Sequence, residues 1–330
     1  MKFPRRQFLH LAAGAAALPV ASRVARAQTY PTRPITMIVP FPPGGAADVI
    51  ARPVAERMRE RIGQPIIIEN VGGADGSIGV SRAARARADG YTLCVGTLGT
   101  HVQNAAFYSL PYDVLHEFVP IAPLASIPFV LFARKDIPAD DLKDLVAWLK
   151  AHAGQASAGM NTLSLRLVAT FFQKQTGTQF VIVPYRAAVS VIEDLVAGRT
   201  DLAIDTPIRL PLVQSGNIKA YAVTSEARLA VAPDIPTFAE VGLPALSYSQ
   251  WYGLFAPAGT SQSIVDKLKF AAVEALADPV VPARLAPFGM EGTSKNSPYR
   301  SLTTKLPPND SALFPFRFVH VHASKVRDWH

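Results

Sequence analysis

A single cysteine, Cys94, rules out any internal disulfide. It sits in the apolar run YTLCVG with no histidine beside it, so it reads as a small buried hydrophobe rather than a nucleophile. The seven histidines show no metal-site spacing; the closest pair, His320 and His322, stands near the C-terminus. There is no G-x-S-x-G elbow, no H-E-x-x-H and no conspicuous pair of carboxylates. No metal, cofactor or enzymatic chemistry is therefore expected. Dense Lys/Arg blocks are missing, and aromatics are not interleaved with basic residues. Removing the five basic residues of the first 27 lowers the formal charge from +8 to +3, which argues against nucleic acid as a partner. Beyond those residues no run is long and apolar enough for a membrane helix.

What is present begins with an export signal. Lys2, Arg5 and Arg6 precede Phe8-Leu9, a short Ala/Leu-rich stretch and the small-x-small end Ala25-Arg26-Ala27, so residues 1–27 read as a leader. The arginine pair resembles a twin-arginine signal, although Pro4 stands where such signals favour Ser or Thr; an ordinary secretory leader is the alternative. The mature chain is expected to start near Gln28 and to be periplasmic.

With 330 residues, 49% of them hydrophobic, the chain exceeds one usual domain and can fill two cores. Short apolar runs alternate with amphipathic segments. Strands are expected at 35–39, 65–70 and 91–97, with a helix from Ala46 to Ile62 stopped by Gly63 and a short helix through Arg82–Arg87. The proline-punctuated stretch 118–136 holds two more strands and reads as a crossing between lobes. A second α/β unit follows, with helices ended by Gly177 and Gly198, strands in QFVIVPY and at 201–206, a run at 219–225 that leads the chain out, and a helix at 261–276 after it. This rhythm gives two α/β lobes, each a mostly parallel sheet flanked by helices, the second inserted between segments of the first.

In such sheets ligands sit beyond the carboxyl ends of the strands. The loops that matter are then Pro40–Asp48, Gly96–Asn104, Gly159–Ser164, Tyr185–Ala188 and Asp205–Arg209. In IVPFPPGG, Pro42 and Pro43 stiffen the chain just before Gly44 and Gly45, which let backbone approach a ligand closely. Ala46 and Ala47 open the helix, and Asp48 lies in its first turn. The stretch is equally consistent with a plain strand–helix turn and with a cradle of N–H groups for an anion. It is not a phosphate-binding P-loop, since the Lys-Ser/Thr pair is missing. Thr97 and Thr100 can donate to a carboxylate and His101 could add charge, or Thr100 can simply cap a helix. Thr162 can cap the helix after it, face a ligand, or do both. Asp205 ends an apolar strand and needs donors from a ligand or from backbone.

Four stretches together, YPTRPITMIVPFPPGGAADVIARPVAERM, DGYTLCVGTLGTH, VPYRAAVSVIEDLVAGRTDLAIDT and AVTSEARLAVAPDIPTFAEVGLP with its later WYGLFAPAGTS, closely resemble the extracytoplasmic receptors of tripartite tricarboxylate transporters, the TctC or Bug family. The resemblance spans about Tyr30 to Pro298. It implies a type II periplasmic-binding-protein fold with lobe I at 28–125 and 226–298 and lobe II at 126–225. It further implies a monomer that closes on a small organic carboxylate and hands it to a membrane permease. Carried over by motif, Pro43, Gly44, Gly45, Ala46, Ala47 and Asp48 form the carboxylate clamp, Thr97 and Thr100 a second loop (with His101 beside them as a candidate from the residues alone), Thr162 and Ser164 a third, and Asp205 the position that sorts distal groups. A sensing receptor for a signalling protein, or a catalytic derivative of the fold, are the alternatives.

Three departures from the family pattern stand out. The third loop carries Asn161 where the family favours Gly, and Leu165 where it favours His. Ala187 and Ser190 replace a glycine and a proline after Pro184-Tyr185-Arg186. Both changes fall on the lobe II side and point to a ligand with less polar bulk at its distal end. Finally, residues 299–330 lack a helical period, so a divergent, poorly ordered tail is expected there, with a less stable first lobe.

Overall fold

The computed structural model describes residues 30–292. The leader and the tail beyond Pro298 lie outside the described residues. The first strand, β1 (Ile35–Val39), is buried along most of its length, and the chain turns through the Pro-Gly loop into helix α1 (Ala46–Ile62). The helix buries Ile50, Val54 and Met58, spaced for one face, and Gly63 ends it at φ 76° with its N–H on the Arg59 carbonyl. Asp48 in the first turn and Arg59 and Arg61 in the last complement the helix dipole.

The elements that follow are β2 (Ile66–Asn70), α2 (Ser77–Ala84), β3 (Thr92–Thr97), β4 (Phe118–Pro128) and β5 (Val130–Arg134). Next come α3 (Leu142–Ala151), β6 (Ser157–Met160), α4 (Leu163–Thr176), β7 (Val181–Pro184), α5 (Ala188–Val196), β8 (Leu202–Asp205) and β9 (Ile218–Val223). The chain then runs through β10 (Ser249–Pro257), α6 (Gln262–Ala277), α7 (Val280–Leu285) and β11 (Glu291–Gly292).

Two sheets result, one ordered β11-β4-β10-β3-β1-β2 and the other β7-β6-β8-β5-β9. The two-lobed α/β architecture is as expected: most strands of each sheet share one sense, with β10 and β11 reversed in the first sheet and β5 in the second. β1 pairs parallel with β2 and β3, and β6 with β7 and β8, whereas β10 runs antiparallel to β3 and β4, and β5 antiparallel to β8 and β9. Of the four strands at the crossings, β5 and β10 run against the set they join, whereas β4 runs with β1–β3 and β9 with β6–β8. The β10 strand has no counterpart in the sequence reading. The short helix expected through Arg87 begins earlier, at Ser77, and ends at Ala84.

Only Phe129 separates β4 in one sheet from β5 in the other. Its N–H donates to Thr224 Oγ1 at 2.8 Å, and its carbonyl accepts from the Thr224 N–H at 2.8 Å. Thr224 in turn donates its hydroxyl to the Tyr248 carbonyl at 2.6 Å, and the Tyr248 ring stacks on Phe129 at 5.3 Å. The two crossings are thus tied side by side, a pivot that both sheets share.

On one face of the first sheet α1 packs against α6, with Ile50, Val54 and Met58 sharing a core with Leu268 and Ala272. Each large apolar side chain buried there contributes about 1.5–3 kcal/mol. That packing fixes the α1 N-terminus at the edge facing the second sheet.

Candidate functional site

The loop before α1 is shaped by Asp48. Its carboxylate accepts the Gly44 N–H at 3.0 Å, Arg52 Nε and Nη2 at 2.8 Å each, and Asn70 Nδ2 at 3.0 Å. Asn70 Nδ2 also reaches the Phe41 carbonyl at 3.1 Å. Burial pushes the Asp48 pKa up, but these hydrogen bonds outweigh it and leave the group below its ordinary value. Gly44 adopts φ 76°, a conformation that favours glycine. Asp48 was expected to bind ligand; the structure turns it inward, where it staples the cradle.

With Asp48 so placed, the start of α1 is open. Gly45 is the N-cap and contributes no side chain, and among the described residues no protein acceptor pairs with the N–H groups of Ala46 or Ala47. These are the orphan donors of a helix N-terminus, and they carry its positive end. They face a cavity of about 70 Å³ between the two sheets, which Pro43, Gly45, Ala46 and Ala47 line from this side.

From the second sheet, α4 and α5 bring their own N-termini to the same cavity. Thr162 caps α4, accepting the Leu165 N–H at 3.4 Å, and it lines the cavity with Asn161 and Leu165. Ala187 precedes α5 without a side-chain cap, and Ala187, Ala188 and Val189 form the adjoining wall. Asp205 lines the cavity too, yet its oxygens are engaged locally: Oδ1 accepts the Thr206 N–H at 2.7 Å and Oδ2 accepts Arg209 Nε at 2.8 Å. The arginine offsets the charge that would otherwise repel an anion.

The floor comes from the crossings: Phe129, Gln250 and Tyr252. Burial, and then the nearby Asp205 charge, raises the Tyr252 hydroxyl pKa, so it remains a donor at any physiological pH. Sequence reasoning missed these three residues because they lie within or between strands, not at helix-leading strand ends. Tyr252 falls in the quoted WYGLFAPAGTS stretch, but the resemblance gave it no ligand role.

Four expected ligand residues are elsewhere. Thr97 and Thr100 are fully buried and satisfy each other, with the Thr97 N–H on Thr100 Oγ1 at 3.0 Å and the Thr100 N–H on Thr97 Oγ1 at 3.1 Å. His101 is rotated into the core by a π-helical turn, Gly99–Gln103, and stacks on Phe255 at 4.3 Å. Burial lowers its pKa to about 3, so it is neutral and supplies no charge assistance. Ser164 is buried and donates to Gln103 Oε1 at 2.5 Å. None of the four lines the cavity. Pro43, Gly45, Ala46, Ala47, Thr162 and Asp205 do, while Gly44 shapes the loop behind them.

The chain matches the family model described as "Tripartite tricarboxylate transporter family receptor" over residues 50–302. It is 37% identical to the protein BugT of Bordetella pertussis over 255 residues, 76% of this chain and 78% of that one. Among solved structures it is similar to MatC of Rhodopseudomonas palustris with bound malate, at 32% identity and TM-score 0.79, covering 91% of this chain and 98% of the other. A second R. palustris protein, solved with adipate, is 31% identical with TM-score 0.79 over 90% and 98% of the two chains.

Proposed function

The chain belongs to the tripartite tricarboxylate transporter receptor family, a family of solute-binding proteins, and from that premise we propose that it captures a small organic carboxylate outside the cytoplasm and delivers it to a tripartite membrane transporter. The observation that carries this reading is the meeting of three helix N-termini, those of α1, α4 and α5, at one cavity between the sheets. The positive ends and free N–H groups of α1 and α5 suit a carboxylate without any arginine in contact with it.

Binding works by closure. The solute docks first against the Pro43–Ala47 cradle. The second sheet then swings about the Phe129–Thr224–Tyr248 pivot until Ala188 and Val189 meet the distal end. Water leaves as the lobes meet, which strengthens every charge-assisted hydrogen bond inside. The malate and adipate seen in the two related structures agree with a dicarboxylate of short to medium length. The wall of Leu165, Ala187, Ala188 and Val189 favours an apolar spacer over added hydroxyl or carboxyl groups.

The test is a melting-temperature screen of the purified chain against mono-, di- and tricarboxylates and amino acids. A ligand of the folded state raises the midpoint with concentration. A dicarboxylate that does so supports the reading. A cooperative melt that no carboxylate shifts would sink it.

A further inference from the structure

We propose that Asp75 and Arg166 form a latch across the cleft, assembled as the lobes close, that slows release of the bound solute. The proposal rests on the receptor reading for what is retained and on geometry alone for the latch. Asp75 stands between β2 and α2, on the side of the first sheet, and Arg166 stands on α4, on the side of the second. Arg166 Nη2 reaches Asp75 Oδ2 at 2.7 Å, and the pair is largely buried, with side chains 27% and 12% exposed. Asp75 Oδ1 accepts the Leu163 N–H at 3.2 Å, so the first orphan donor of α4 is also held by the opposite lobe. Tyr108, from the Asp75 side, donates its hydroxyl to Asp75 Oδ2 at 2.7 Å and accepts Arg166 Nη2 at 2.8 Å.

The loop is built to project this carboxylate. Gly73, Ala74, Asp75 and Gly76 all have positive φ, at 119°, 47°, 52° and 88°. Two consecutive non-glycine residues in that region are strained, and strain of this kind persists where surroundings enforce it. The flanking glycines are needed for the same path: a Cβ on Gly73 would come within 2.7 Å of Ile78 Cδ1, and one on Gly76 within 2.7 Å of Thr100 Cγ2. The Asp75 carbonyl is held as well, accepting from Asn104 Nδ2 at 3.0 Å. Asp75 is thereby pinned to its own lobe while its carboxylate is satisfied mainly by the other. Ser164, in the same first turn of α4, adds its bond to Gln103 beside this contact. The latch adjoins the cavity, because Leu163 directly follows the lining residue Thr162. Opening about the pivot breaks the Arg166 and Leu163 contacts together, so their loss belongs to the release step and not to encounter.

Asp75→Asn, Arg166→Gln and the double variant separate this from a merely structural bond. Asparagine tolerates the left-handed backbone, so Asp75→Asn removes charge with little added strain. With malate and adipate as probes, stopped-flow tryptophan fluorescence should show the dissociation rate rising about tenfold in each single variant and the association rate changing less than about twofold. The double variant should be no faster than the faster single, since both remove one coupled interaction. Spin labels at Arg59→Cys and Lys150→Cys, both exposed and on opposite lobes, report closure directly; the native thiol of Cys94 is buried and stays unlabelled. In ligand-free protein the interlobe distances should shift to longer values in the latch variants. Unchanged dissociation and unchanged distances in a variant that melts like the parent would overturn the latch. Should Asp75→Asn melt early, Arg166→Gln decides by the same measurements. If neither probe binds the parent chain, the receptor reading fails for these solutes, and the spin-label distances still decide the latch.

Discussion

Gly44 donates its N–H to the carboxylate of Asp48, four residues ahead, so the acid in the first turn of α1 holds the loop that the helix itself faces. The same carboxylate collects two bonds from Arg52 and one from Asn70. Asp48→Ala removes all of them, leaving the Gly44 N–H without its acceptor and Asn70 Nδ2 with the Phe41 carbonyl alone. We expect a loss of about 2–3 kcal/mol in urea unfolding, with weaker carboxylate binding as a consequence. Full stability combined with lost affinity would mean that Asp48 touches the ligand itself.

The cradle can be tested one donor at a time. Ala46 is the first residue of α1, the helix position where proline is best tolerated, and Gly45 before it is already extended at φ −81°, ψ 169°. Ala46→Pro therefore deletes one N–H while keeping the helix. A lost charge-assisted bond of about 1.5 kcal/mol weakens carboxylate affinity by roughly tenfold. Calorimetry with malate or adipate measures it, and an unaltered affinity would remove the α1 terminus from the binding site.

How far the sequence carries the fold depends on how local each signal is. Gly63 and Gly177 end helices where the chain needs a left-handed residue, and both ends fall where the sequence places them. The Pro-Pro-Gly-Gly loop and the strand-end loops at Asn161, Ala187 and Asp205 are legible for the same reason: strand, loop and helix N-terminus follow one another within a few residues. Gln250 and Tyr252 were not legible, because β10 gains its meaning only from strands more than a hundred residues away. His101 misled the reading in the opposite way. It sits at a strand end in sequence, yet the π-helical turn aims its ring at Phe118 and Phe255. Nothing in the spacing of GTLGTH distinguishes those two directions.

That buried imidazole makes stability depend on pH. His101 has a folded-state pKa of about 3 against an ordinary 6.5, so below pH 6.5 the unfolded chain binds a proton that the folded chain refuses. Stability from this group is complete above the unfolded value and falls as pH drops toward the folded one. The loss amounts to about 2 kcal/mol between pH 6.5 and pH 5. His101→Phe should flatten the melting-temperature profile over that window and leave carboxylate affinity at neutral pH intact. A ligand affinity that collapses in His101→Phe, with the melt unchanged, would return His101 to the binding site.

The second-lobe wall sets the last expectation, which concerns selectivity. Leu165, Ala187, Ala188 and Val189 offer no side-chain donor to a further carboxylate at the distal end. A citrate-like tricarboxylate brings a further charged group there. With the α5 N–H groups already taken by the first distal carboxylate, that group gives up water with no side-chain replacement from this wall, a cost that charged groups feel strongly. Citrate should therefore bind at least about tenfold more weakly than adipate. Leu165 is the third residue of α4 and its side chain reaches the cavity, so Leu165→His introduces an N–H donor at that wall with little change in volume. Titration calorimetry should then show the citrate-to-adipate gap narrowing, chiefly through tighter citrate binding. If the parent chain already binds citrate as well as adipate, the distal end of the ligand does not rest on this wall, and selectivity must come from the Asp205 and Tyr252 side of the cavity instead.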